Sequence, residues 1–244
     1  MLSQFFRAPS LRDVPLVCAL SATAFGLFFR LGRPGLLEPF EAESAERVRA
    51  FVQSVPNAGG DRGTPALALR VMGTGVQLFG GSAWSVRIAG ATLALVGVAA
   101  LAWLLRSFVG SRPAAIGAFV LGVTPVYFVE GRHAFGEMLG MTAFALAIVG
   151  FVVGSGKARP DDPPRRRRIS RRTVAFTIGA LGLAAGFAAH GALIGIVLPC
   201  SVVGFARIPS ARREGAAKQT QWRAALVAAT LAGALVLAFF ALLA

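Results

Sequence analysis

Three groups of polar residues interrupt an otherwise apolar chain, and each has a side-chain set that could do chemistry at a membrane surface. The first is acidic: Glu38, Glu41, Glu43 and Glu46 in LLEPFEAESAERVRAF. A carboxylate here can act as general base toward an acceptor hydroxyl or amine. Glu41, three residues after Glu38, is the first choice for that role. The same acids also suit a solvated helix start, where negative charge complements the helix dipole. The second group is Glu130, Arg132, His133 and Glu137 in VYFVEGRHAFGE. The planar guanidinium fork matches phosphate oxygens, so Arg132 with His133 suits a lipid-linked phosphate head group. The plainer alternative is a short capped turn from which Arg132 snorkels to water. The third candidate is His190 in GFAAHGALIG, either a polar residue at a helix end or a further contact for phosphate. A metal site from Glu41, His133 and Glu137 has no diagnostic spacing, and neither a metal nor another cofactor is expected.

The elements that must carry these groups follow from composition. The 244 residues are 55% hydrophobic and only 15% charged, with a formal net charge of +14. A soluble domain has about 25% charged residues, so a single water-facing globule is excluded, and so is disorder. A basic balance often signals nucleic acid, but here apolar runs separate the basic clusters. Multiple spans with arginine-rich cytoplasmic loops reconcile the two properties. The densest run, KARPDDPPRRRRISRR, then reads as a stop-transfer segment touching anionic lipid, and no nucleic-acid partner is expected. Cys18 and Cys200 sit inside apolar runs, without disulfide-framework or metal spacing. The sequence has no Walker loop, dinucleotide fingerprint or HExxH.

A bilayer span takes about 20 apolar residues. Seven segments qualify: 14–33, 85–106, 113–129, 138–155, 173–189, 191–206 and 224–243. The first reads as an uncleaved span rather than a signal peptide. The fifth and sixth share one tract, split at His190-Gly191. Dense glycine and alanine allow close helix approach in lipid. The expected fold is therefore all-α and polytopic, a single membrane domain of seven spans. Basic residues crowd the segments 156–172 and 207–223, which puts the N-terminus in the cytoplasm and the C-terminus outside. The loop 34–84 then lies outside. Within it, EAESAERVRAFVQ has Ala45, Val48 and Val52 at helical spacing. PALALRVMGTGVQLFGG carries Arg70 and Gln77, and is expected along the outer interface as an amphipathic helix rather than across the membrane.

Four segments in this order resemble the N-terminal module of polytopic glycosyltransferases of the GT-C fold, the class of aminoarabinose transferases and protein O-mannosyltransferases (glycosyltransferase family 39-like). They are LLEPFEAESAERVRAF; GTPALALRVMGTGVQLFGGSAWSVRIAGA, with Phe79, Gly80, Trp84 and Arg87; GVTPVYFVEGRHAFGEMLG; and LGLAAGFAAHGALIGIVLP. The resemblance implies seven spans and inverting transfer of a sugar from a polyprenyl-phosphate donor on the outer face of the plasma membrane. It implies Glu41 and Glu137 as catalytic acids, and Arg132, His133, His190 and Arg62 as donor-phosphate contacts. Besides the donor and membrane lipids, it implies a protein partner or a C-terminal domain beyond Ala244. In the family an aspartate stands where this chain has Phe40, and a lysine where it has Gly63 beside Arg62. The second functional reading is accordingly a catalytically inactive GT-C-like subunit that binds lipid phosphate or scaffolds a partner.

Overall fold

The computed structural model describes residues 13–33, 35–36, 40–53, 66–134, 136–155 and 171–204, and every regular element among them is helical. The chain divides into two units, Met1–Ala145 and Leu146–Ala244. The first is built around α4 (Ala83–Phe108), against which pack α1 (Val14–Phe28), α3 (Ala66–Phe79), α5 (Ser111–Val123) and α6 (Pro125–Arg132). With α7 (Glu137–Gly154) and α8 (Arg171–Ala192) these make a multi-pass membrane fold.

Small side chains set how closely the first unit packs. Ala91, Ala94, Val98 and Ala102 of α4 are buried, as are Ala114, Ala115 and Ala118 of α5. Methyl-sized residues bring helix backbones together where dispersion and hydrogen bonds replace the hydrophobic drive. The Tyr127 hydroxyl donates to the Ala94 carbonyl (2.8 Å) and the Thr142 hydroxyl to the Leu93 carbonyl (2.8 Å), tying α6 and α7 to α4.

Two spans differ from the expected boundaries. The first helix stops at Phe28 after 15 residues, or about 22 Å at 1.5 Å per residue, and Phe29–Arg33 turn away from it. The third breaks at Thr124, with α5 and α6 bent by 64°. Pro125 explains the break: proline lacks an N–H and pushes the preceding residue out of the α region, and Thr124 takes φ −59°, ψ 122°. Among the described residues three helical runs are long and apolar enough to cross a membrane, or four with the bent pair taken as one. The expected count was seven; segment 224–243 lies outside the described residues.

The second unit holds the longest run, Arg172–Gly204, and it is not one straight rod. A Cβ placed on Gly186 would stand 3.0 Å from the carbonyl oxygen of Gly195. A straight helix separates residues nine apart by about 13.5 Å. The chain therefore doubles back at Gly191, whose φ of 71° and ψ of −172° lie in a region essentially restricted to glycine. A π-helical turn, Leu193–Val197, begins the return arm. Gly191→Val is expected to destabilise this hairpin by about 1–3 kcal/mol, read as a lower unfolding midpoint in detergent; an unchanged midpoint would mean that the turn does not need the glycine conformation.

The two polar-faced helices sit in the first unit. In α2 (Phe40–Val52) the inward apolar residues are Ala45 and Val48, both fully buried. In α3 they are Ala68, Leu69, Met72, Gly73 and Gly75, while Arg70, Thr74 and Gln77 are exposed. The α3–α4 turn is tight. Gly80 (φ 81°) donates its N–H to the Val76 carbonyl (2.9 Å), and the Ser82 hydroxyl caps α4 by accepting from the Ser85 N–H (3.2 Å). Arg49 of α2 donates to the Gly81 carbonyl (2.9 Å), fixing α2 to that turn.

Candidate active site

At one end of the first unit a buried ion pair joins four chain segments. Arg87, in the second turn of α4, is 2% exposed, and Glu41, at the start of α2, is 0% exposed. The guanidinium grips the carboxylate with two bonds, Nε to Oε1 (3.0 Å) and Nη2 to Oε2 (2.6 Å). It also donates to the carbonyls of Leu31 and Gly35, each at 2.9 Å. Oε1 of Glu41 accepts a further bond from the Ala134 N–H (3.1 Å). The segment after α1, helix α2, helix α4 and the α6–α7 turn thus meet on one guanidinium–carboxylate couple.

This geometry gives Glu41 a structural partner beside its expected role as base. A general base needs an exposed lone pair within reach of the proton it takes. Here the carboxylate is buried, and each of its oxygens accepts from Arg87. A bidentate, charge-assisted pair of this kind favours the ionised carboxylate and fixes its orientation. In this conformation Glu41 positions α2 and the α6–α7 turn. Arg87 figured in the sequence only as part of a family pattern. The signal that marks it is a cation inside a span, because ionisable residues at membrane depth are costly unless paired.

The α6–α7 turn carries the second cluster, and a glycine places it. A Cβ on Gly90 would stand 3.2 Å from the carbonyl oxygen of His133 and 3.4 Å from that of Gly131. The glycine therefore lets this backbone lie on α4 less than one turn from Arg87. Arg132 ends α6 and reaches back to the C-terminus of α1, donating from Nη1 to the carbonyls of Gly26 and Leu27 and from Nη2 to that of Phe29 (2.9 Å). Its guanidinium also lies 5.3 Å from the Phe128 ring centroid. Helix C-terminal carbonyls lack intrahelical donors and carry partial negative charge, so Arg132 caps α1. Arg132 thus turns back onto α1 rather than snorkelling to water. The edge of the fork bearing Nε has no hydrogen-bond partner among the described residues.

Around Arg132 stand His133, half-buried at the end of α6, and Glu137, exposed in the first turn of α7. Both lie within electrostatic reach of Glu130, one of whose carboxylate oxygens is buried with no hydrogen-bond partner among the described residues. Arg87 and Arg132 are likewise close enough to interact. The structure thus brings Glu41, Arg132, His133 and Glu137 to one end of the first unit. His190 belongs to the second unit, half-buried just before Gly191. Arg62 and Glu38 lie outside the described residues. Glu43 pairs with Arg47 on the exposed side of α2, and Glu46 is exposed, so these two belong to a solvated helix face. Among the described residues no cluster of three potential metal ligands occurs.

Comparison with known proteins identifies the fold. The family described as dolichyl-phosphate-mannose-protein mannosyltransferase matches residues 64–162. Two solved structures of ArnT from Cupriavidus metallidurans superpose on 93% of the chain. The apo form does so with a TM-score of 0.69 at 21% identity, and the form bound to undecaprenyl phosphate with 0.66 at 22% identity. The chain spans 41% and 40% of the length of those two structures. A search of curated protein sequences gave no significant match. The likeness shows the fold, which is that of the GT-C membrane glycosyltransferases.

Proposed function

We propose, with the GT-C fold as the premise, that the chain is the N-terminal module of a membrane glycosyltransferase. It would move a sugar from a polyprenyl-phosphate donor to an acceptor at the outer face of the plasma membrane, with the N-terminus in the cytoplasm. The observation that carries the reading is the gathering of Arg132, His133 and Glu137 beside the buried Glu41–Arg87 pair. It occurs in a fold shared with a protein solved with undecaprenyl phosphate.

In this reading the acceptor hydroxyl or amine gives its proton to the carboxylate of Glu137, the exposed acid of the cluster. The acceptor atom forms its bond to the anomeric carbon as the bond from that carbon to the phosphate oxygen breaks. The electron pair leaves with the polyprenyl phosphate, whose charge Arg132 and His133 meet. Preorganised hydrogen-bond donors aimed at a developing phosphate charge are a large contribution to such a step. Arg62 and His190 are phosphate contacts on the family resemblance alone. Glu41 acts through Arg87 as a positioning residue.

The test is binding of a short-chain polyprenyl phosphate in detergent. Wild type is expected to bind and Arg132→Lys to bind about ten- to a hundredfold more weakly, because a point charge does not reproduce the guanidinium fork. Equal affinity would leave Arg132 as the cap of α1 only, and absence of binding by wild type would overturn the donor assignment. The second reading, an inactive lipid-phosphate-binding subunit, is favoured by Phe40 and by the complete engagement of Glu41 with Arg87. It is separated from the first by binding that persists without sugar transfer.

A further inference from the structure

The C-terminal end of α1 carries a second group of cations that the proposed transfer does not use. Arg30 and Arg33 are exposed, and neither forms an ion pair among the described residues. Beside them, Phe25 and Phe29 stack with ring centroids 4.9 Å apart while remaining 66% and 48% exposed. These rings end an outward-facing stripe on α1 that also includes Val14, Val17 and Cys18. In a membrane fold such a stripe meets acyl chains, and exposed arginines at its end belong at the depth where chains give way to head groups. The Arg30 guanidinium lies 5.1 Å from the Phe29 ring centroid, so the cation stands directly above that aromatic end.

The backbone supplies an independent observation. Arg30 has φ of 51°, the one positive value at a non-glycine residue among those described. The left-handed region is costly for a residue with a Cβ, and a helix commonly ends there on glycine. The neighbouring contacts impose the conformation. Leu31 is 2% exposed and its carbonyl accepts from Arg87 at 2.9 Å, which pins the chain just after Arg30. Arg132 already serves the last carbonyls of α1, so Arg30 is not needed as a cap. A glycine would satisfy the turn at less strain, and a strained residue held against that preference points to a function for its side chain.

We infer that the end of α1 binds the phosphate of an anionic membrane phospholipid. Arg30 and Arg33 would meet the head group while an acyl chain lies along Phe25 and Phe29. The partner follows from chemistry: two cations without an acidic partner among the described residues, set above an exposed aromatic and aliphatic stripe, complement a phosphodiester attached to hydrocarbon. The inference needs the membrane fold but not the transferase reading.

The experiment is lipid titration of the purified protein in detergent, followed by its unfolding midpoint. The probe is phosphatidylglycerol, with phosphatidylcholine as zwitterionic control and a short-chain polyprenyl phosphate as the competing ligand. Phosphatidylglycerol is expected to raise the wild-type midpoint more than phosphatidylcholine does, and Arg70→Ala, which removes an exposed cation on α3, is expected to behave as wild type. The double variant Arg30→Gly with Arg33→Ala is expected to lose apparent phosphatidylglycerol affinity about tenfold or more. Its midpoint without lipid should be equal or higher, because glycine relieves the strained turn. Arg33→Ala alone is expected to lose affinity severalfold with Arg30 undisturbed. Unchanged phosphatidylglycerol affinity in these variants, or no preference for it in wild type, would overturn the inference. Loss of polyprenyl-phosphate binding in the double variant, alone or together with phosphatidylglycerol, would also overturn it, since the arginines would then belong to the sugar donor's site.

Discussion

Arg87→Ala is expected to destabilise the first unit by about 3–5 kcal/mol, because it leaves a carboxylate buried without its counter-charge. Glu41 is 0% exposed and accepts from both Nε and Nη2 of Arg87. Removal of the guanidinium also strips donors from the Leu31 and Gly35 carbonyls. Glu41→Gln should cost less, since a neutral amide keeps the shape and one acceptor for Arg87 or the Ala134 N–H. The double variant Arg87→Met with Glu41→Gln is expected to recover much of the loss, because a buried pair replaced on both sides is often nearly neutral. A double-mutant cycle of unfolding free energies in detergent, closed with Arg87→Met and Glu41→Gln as the single variants, measures this coupling. An Arg87→Ala loss below about 1 kcal/mol would show that the pair opens to water in the folded protein. Glu41 would then regain its place as a candidate base.

Glu137→Gln should separate chemistry from stability. A positioned general base contributes about 10²–10⁴ in rate. Sugar transfer by membranes carrying the protein is expected to fall by about that factor, with the donor KM little changed. Stability should fall by less than about 1 kcal/mol, because Glu137 is exposed and charge interactions at an exposed site contribute little. The contrast with Glu41 is diagnostic: a positioning residue loses activity together with folding, a base loses activity alone. Transfer within tenfold of wild type in Glu137→Gln would remove it as the base. The partly buried Glu130 would then be the remaining acid of that cluster.

What was readable in advance depended on periodicity and on local chain chemistry. Ala45, Val48 and Val52 stand at helical spacing, and α2 buries the first two completely. Arg70 and Gln77 interrupt an apolar segment, and both lie on the exposed side of α3. The apolar runs that became α4 and α7 carry their own boundaries, since hydrocarbon length and backbone satisfaction are properties of a single segment. The break at Thr124 was also written locally, in Pro125, although a hydropathy window averages over it.

Charge pairing was not readable, because it depends on residues far apart in the chain. Glu41 and Arg87 are separated by 46 positions, and Arg132 and Gly26 by 106. A glutamate at a helix start has the same sequence signature whether it faces solvent, a substrate or an arginine. An arginine after a short helix equally suits a phosphate or a helix C-terminus. Composition, spacing and order therefore determined that this chain is an all-helical membrane protein resembling the GT-C transferases. Only the tertiary structure decided which acid is buried in an ion pair and which stays exposed. That choice rests on a desolvation penalty and a hydrogen-bond geometry that exist only once α1, α2, α4 and the α6–α7 turn have come together.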